Sequence, residues 1–100
     1  MKMVKHIIIW KLKDEIENKS LRKAEIKASL EDLVGRIDGL LEMHILTDGF
    51  PSSAGDLMMD STFESSDALM AYQKLPLHQS VANSIVRPSV QARLSFDYEL

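Results

Sequence analysis

The stretch "MVKHIIIWKLK", residues 3–13, holds three consecutive isoleucines, a valine and a tryptophan, with lysines toward its ends. β-Branched and aromatic residues suit the pleated surface of a strand. With a period of two, Val4, His6, Ile8, Trp10 and Leu12 fall on one face, and Lys5, Ile7, Ile9 and Lys11 on the other. Both faces are apolar at the centre, so both are expected to be covered. Helices can cover one side, and something else must meet the other.

Working outward, residues 14–20, "DEIENKS", form a polar connector in which Ser20 is the expected N-cap. From there to about Ile37 the apolar residues follow helical spacing: Ile26, Leu30, Leu33, Val34 and Ile37, with Leu21 and Ala24 before them. Gly35 and Gly39 end that helix. Residues 40–47, "LLEMHILT", and 57–64, "LMMDSTFE", read as strands, separated by the turn-rich loop "DGFPSSAGD". Ser65 or Ser66 caps a short helix that must stop at Leu75, because Pro76 disfavours helical backbone in the residue before it. A further short helix over about 77–86 places His78, Val81, Ala82 and Ile85 on one stripe. Pro88 is expected to separate it from a last strand, "SVQARLSFDY". On that strand Val90, Ala92, Leu94, Phe96 and Tyr98 face one way, and Gln91, Arg93, Ser95 and Asp97 the other.

The order is βαββαβ with the second helix broken. It predicts one α+β domain over residues 1–100, ferredoxin-like, with helices on one face of an antiparallel sheet. The other face would carry apolar side chains into water unless it met a partner.

Composition narrows the function classes. The chain is 45% hydrophobic and 27% charged, with net charge −3. Residues 1–36 hold nine Lys/Arg against six Asp/Glu, and residues 37–100 hold three against nine. The basic third has no dense cationic cluster and no interleaved aromatics, so nucleic acid is not an expected partner. With no cysteine, a disulfide framework, a thiolate nucleophile and a Cys-ligated metal are excluded. His6, His44 and His78 show none of the short His-to-His spacings of zinc sites, so no metal is expected. The longest apolar run, "IIIW", is far short of a membrane span, and Lys11 and Lys13 close it before it could be a signal core. No membrane partner is expected, and the expected location is the cytoplasm.

Three segments, "MVKHIIIWKLKDE" at the start, "TFESSDALMAYQKLPLH" in the middle and "FDYE" near the end, resemble the stress-responsive A/B barrel (Dabb) family in order and spacing. The resemblance spans nearly the whole chain. It implies a homodimer in which two ferredoxin-like sheets face each other and close an α/β barrel. Most of the family has no assigned reaction. One branch, similar to the plant polyketide cyclases of the olivetolic acid cyclase type, closes a ring in a linear polyketide without metal or organic cofactor. The resemblance places its working groups at His78, Tyr72 and His6. It also implies a pocket lined by Ile8, Trp10, Leu75, Leu77 and Val81, and puts the strand face that holds His6 and Trp10 in the barrel lining. The cyclase-like "HPAH" reads "LPLH" here, with Leu75 and Leu77 where that branch has a His and a small residue. The pocket mouth is therefore expected to be narrower and more apolar.

Each candidate has a functional and a plainer reading. An imidazole titrates near pH ~6.5 and can take a proton alpha to a carbonyl, with His78 as base. Tyr72 could then orient the carbonyl or donate to the enolate oxygen. Alternatively, His78 simply starts a helix, Tyr72 is an amphipathic core residue, and His6 is a hydrogen-bonded core histidine. Met43, Met58, Met59 and Met70 fit either an adaptable pocket or ordinary packing. Three functions follow: a protein that binds a small apolar or polyketide-like molecule, a cofactor-free cyclase, isomerase or lyase working through His78, or a structural oligomer.

Overall fold

A computed structural model describes residues 2–100. Its elements are β1 (Val4–Leu12), α1 (Lys19–Glu31), β2 (Leu40–Leu46), β3 (Leu57–Phe63), α2 (Ser66–Lys74), α3 (Pro76–Val81), a π-helical turn (Ala82–Val86), α4 (Arg87–Ser89) and β4 (Val90–Glu99). The four strands form one antiparallel sheet in the order β2-β3-β1-β4, the ferredoxin-like α+β arrangement.

The alternation read in β1 decides what each sheet face does. Val4, His6, Ile8, Trp10 and Leu12 are all buried. They pack beneath the chain's own helices with Ile26, Leu30, Phe63, Leu69 and Tyr72. This corrects the expectation that the His6–Trp10 face lines a barrel between two sheets. The opposite face carries Ile7 and Ile9 alongside Phe96 and Leu94, which pair with them across the β1–β4 ladder. Leu94 is 73% exposed and Phe96 69%. The four-stranded sheet thus has one covered face and one open face, apolar along β1 and β4 and crossed by the Lys5–Asp60 ion pair.

Several boundaries differ from the sequence reading. Asn18, not Ser20, caps α1: its side-chain oxygen accepts from Leu21 N–H at 3.0 Å. Regular α1 ends at Glu31, and turns carry the chain to Gly39. Gly35 and Gly39 have φ of +86° and +82°, where a Cβ is strained. At Gly39 a Cβ would also lie 2.6 Å from Ala68 Cβ. Ser65 caps α2, accepting from Ala68 N–H at 3.1 Å, and Leu75 is extended ahead of Pro76 as expected.

Pro88 does not separate helix from strand. The helix runs through it to Ser89 by widening to a π turn, in which Arg87 N–H reaches Ala82 O. Proline has no N–H to give an α-helical register, and the wider turn accommodates it. Ser89 Oγ holds the exit, donating to Ile85 O at 2.5 Å and accepting from Arg22 at 2.6 Å. A bulge then shifts the β1–β4 register so that Leu12 pairs with Val90 while Lys11 pairs with Ala92. Val90 therefore joins the covered core instead of the open face.

Candidate functional site

Between the covered face of the sheet and the broken second helical segment lies a cavity of about 360 Å³. The sheet supplies His6, Ile8, Trp10, Met59 and Arg93 to its lining. The helices supply Leu30, Tyr72, Gln73, His78, Ala82, Val86 and Arg87, and Val90 closes the end where helix becomes strand.

The local sequence explains how Tyr72 and His78 meet. Tyr72 lies in the last turn and a half of α2, and Pro76 breaks the helix four residues later. α3 restarts at a new angle because Leu75 is extended, with φ −68° and ψ 134°. The two rings, six positions apart, then lie 4.1 Å apart between centroids and 33° from parallel. Tyr72 also packs on Phe63, with centroids 4.9 Å apart, and Phe63 meets His6 edge-on at 6.3 Å. A continuous aromatic row thus joins β1, β3, α2 and α3.

The polar groups along this row differ in how they are satisfied. His6 Nδ1 is hydrogen-bonded to Asp97 Oδ1 on β4, its directly paired residue in the ladder. That bond fixes the ring and leaves Nε2 as its second polar atom. His78 is the opposite case: Nδ1 is buried and has no hydrogen-bond partner. An unpartnered buried nitrogen costs about 1–3 kcal/mol, so it persists where something else requires it. Burial is the main cause holding the His78 imidazole below its ordinary pKa. The Gln73 carbonyl opposes that, while Arg87, His6 and Arg93 reinforce it. The shift favours the neutral form of the His78 ring. Burial alone pushes the Tyr72 phenol well above its usual range, so it stays protonated and able to donate.

Of the eight sequence-derived site residues, His6, Ile8, Trp10, Tyr72 and His78 converge on this cavity. Leu75, Leu77 and Val81 do not line it. Leu75 is the extended link between helices and is 36% exposed. Leu77 and Val81 point from α3 into the packed core. Met59 lines the cavity, Met43 is core, and Met70 is exposed. Arg93, Arg87, Gln73 and the Asp97 partner of His6 were not singled out from the sequence. Arg93 and Asp97 stand on the polar stripe of β4, and only the register that sets them opposite Trp10 and His6 shows their relevance.

Among the described residues no group of three or more His, Cys, Asp or Glu side chains could hold a metal ion. No helix among them is long and apolar enough to cross a membrane.

A family model described as the stress responsive A/B barrel domain matches residues 4–100. Solved structures share the fold. A dimeric, ferredoxin-like protein of unknown function from Bacteroides fragilis is 26% identical, with a TM-score of 0.88 over 98% of this chain and 96% of its own. A protein from Arabidopsis thaliana is also 26% identical, with a TM-score of 0.81 over 97% of this chain and 94% of its own. A hydroxynitrile lyase from Passiflora edulis is 19% identical, with a TM-score of 0.82 over 99% of this chain and 94% of its own, a likeness of fold alone. No curated protein matches the sequence.

Proposed function

The chain belongs to the stress responsive A/B barrel domain family, and we propose that it is a cytoplasmic homodimer whose cavity binds a small carbonyl compound on which His78 acts as general base. The observation that carries this reading is His78 Nδ1, buried without a partner beside Tyr72. A neutral imidazole in a partly apolar cavity is suited to removing a proton from carbon alpha to a carbonyl. The C–H bond breaks, the proton passes to the imidazole, and the electron pair moves onto the carbonyl oxygen as an enolate. The protonated Tyr72 hydroxyl hydrogen-bonds that oxygen. His6, fixed by Asp97, offers a second polar contact. Delivery of that proton to a different carbon or to the opposite face gives isomerisation. Attack of the enolate carbon on a second carbonyl of the same molecule closes a ring, and the new alkoxide takes the proton back from the imidazolium. No cofactor is needed for either outcome.

The homodimer rests on the open sheet face, where Ile9, Leu94, Phe96 and Tyr98 are exposed, and on the dimeric state of the B. fragilis relative. Burying that face removes these exposed apolar side chains from water. Leu94→Glu is expected to give a monomer in analytical ultracentrifugation. A dimer unchanged by that substitution would mean that another surface pairs.

The base is tested with phenylacetone, a small aryl ketone, in deuterated water. The wild type is expected to exchange the protons alpha to the carbonyl with saturable kinetics, followed by NMR. His78→Ala is expected to lower that rate about 100-fold or more. Exchange that is not saturable, or that survives the substitution, would leave the cavity a passive binding pocket. Passive binding is the second reading, and the size and partly apolar lining of the cavity favour it equally.

A further inference from the structure

We propose that the small molecule bound in this cavity carries a carboxylate, which Arg93 and Arg87 recognise. This names the ligand class for the site of the preceding section and rests on its reading as a ligand cavity, though not on turnover.

The distribution of charge carries the inference. The chain has 15 Asp and Glu residues, yet none lines the cavity. Residues 37–100 contain only three cationic side chains, Lys74, Arg87 and Arg93. Two of those three converge on the cavity, one from the helical side and one from the sheet. Arg87 arrives there through the π turn, as the residue whose N–H closes it. Arg93 stands directly across from Trp10 in the β1–β4 ladder, on the same sheet face, and both arginines are exposed residues that meet the cavity from its solvent side.

Neither guanidinium is neutralised. Among the described residues neither forms a salt bridge. The hydrogen bond of Arg87 goes to the neutral side-chain amide of Asn83. The nearest acid on the same strand stripe, Asp97, is engaged by His6. Both arginines also help to lower the His78 pKa electrostatically, so their positive charge is felt at that ring. In a chain of net charge −3, an uncompensated positive cavity concentrates anions against the overall sign. The planar fork of a guanidinium matches a carboxylate in two parallel hydrogen bonds. Nothing in the cavity lining adds the glycine-rich backbone cradle that phosphate groups favour. The apolar remainder, Ile8, Trp10, Met59 and Val86, fits the hydrocarbon part of a small organic acid.

The test compares matched pairs of probes on the intact protein by ligand-observed NMR titration: phenylacetate against phenylacetamide, and hexanoate against hexanamide. Phenyl phosphate serves as the competing anion. At low salt each carboxylate is expected to bind about tenfold tighter than its amide. Raising the ionic strength should shrink that preference. Arg93→Gln and Arg87→Gln should each reduce it, the double substitution should abolish it, and Arg93→Lys should restore part of it. Lys74→Gln, a change of the same charge away from the cavity, should leave it intact. Equal binding of acid and amide, no binding of either, a preference that survives the double substitution, or tighter binding of phenyl phosphate would overturn the proposal. Phenylacetone exchange is followed on the same preparations. Exchange that persists without a carboxylate preference would therefore sink the ligand class and leave the base at His78 standing.

Discussion

α1 crosses one half of the covered sheet face as thirteen regular residues, whereas residues 66–89 cross the other half in four pieces, α2, α3, the π turn and α4. The regular half is closely packed, with only Leu30 reaching the cavity lining. Ile26 and Leu30 of α1 and Leu33 just after it pack with Met43 and Ile45 of β2. Polar side chains of α1 also finish the edge of that strand. Glu31 accepts from Ile45 N–H at 2.9 Å, and Lys27 donates to Ile45 O at 3.1 Å. The broken half is hollow. Its two prolines, Pro76 and Pro88, force an extended link and a π turn, and the space left beneath holds Tyr72, His78 and two arginines. Helical irregularity here is the means by which a small domain opens a cavity without giving up its core. Both halves contribute to the core, but the broken half carries the one buried side-chain atom without a hydrogen-bond partner among the described residues, His78 Nδ1.

The comparison breaks most visibly in the regular half. Ile26 is fully buried, and Ile26→Ala is expected to cost about 3 kcal/mol of unfolding free energy, measured by urea titration. A loss under about 1 kcal/mol would mean that this half is loosely packed.

The broken half should respond in the opposite direction. His78→Leu removes the unpartnered nitrogen while filling most of the space of the ring. It is expected to raise stability by about 1 kcal/mol while removing ketone exchange. The pH dependence has a definite sign. The folded-state pKa of His78 lies below its unfolded value near 6.5, so the unfolded chain binds the proton more readily. The contribution of neutral His78 to stability is present above pH ~6.5 and is lost as the pH falls through the folded pKa. The Tm of the wild type should therefore drop more than that of His78→Leu between pH 7 and pH 5. Parallel curves would show that His78 titrates as it does in the unfolded chain.

The smallest expected effect sharpens the boundary of the regular half. Asn18→Ala removes the cap bond to Leu21 N–H and should cost about 1 kcal/mol. Ser20→Ala should cost less, since Ser20 lies inside the first turn.

These particulars show what the sequence could and could not reveal. Period-two alternation in residues 3–13 and the helix-stopping effect of Pro76 are local, and both were legible. Asn18 was not, because Asn18 and Ser20 are both good caps and tertiary packing chooses between them. Pro88 read as a boundary because π turns have no sequence signature as sharp as that of proline. The bulge that moves Val90 into the core is a property of two strands together. The convergence of His6, Tyr72 and His78 was reached through family resemblance and the position of the break. Arg93 escaped because its importance depends on standing across from Trp10, a long-range pairing that no local pattern records. The family resemblance implied Leu75, Leu77 and Val81 in the pocket lining, but the helix restart turns Leu77 and Val81 to the core.

The most direct measurement is the pH profile of phenylacetone proton exchange, wild type beside His78→Ala. The wild-type rate should rise as His78 loses its proton, with a midpoint below pH 6.5 because burial depresses that pKa, and should be level at pH 7. His78→Ala should follow the uncatalysed background at every pH. A wild-type rate that matches the variant, or a midpoint above pH 6.5, would contradict the account of His78 as the working base of this cavity.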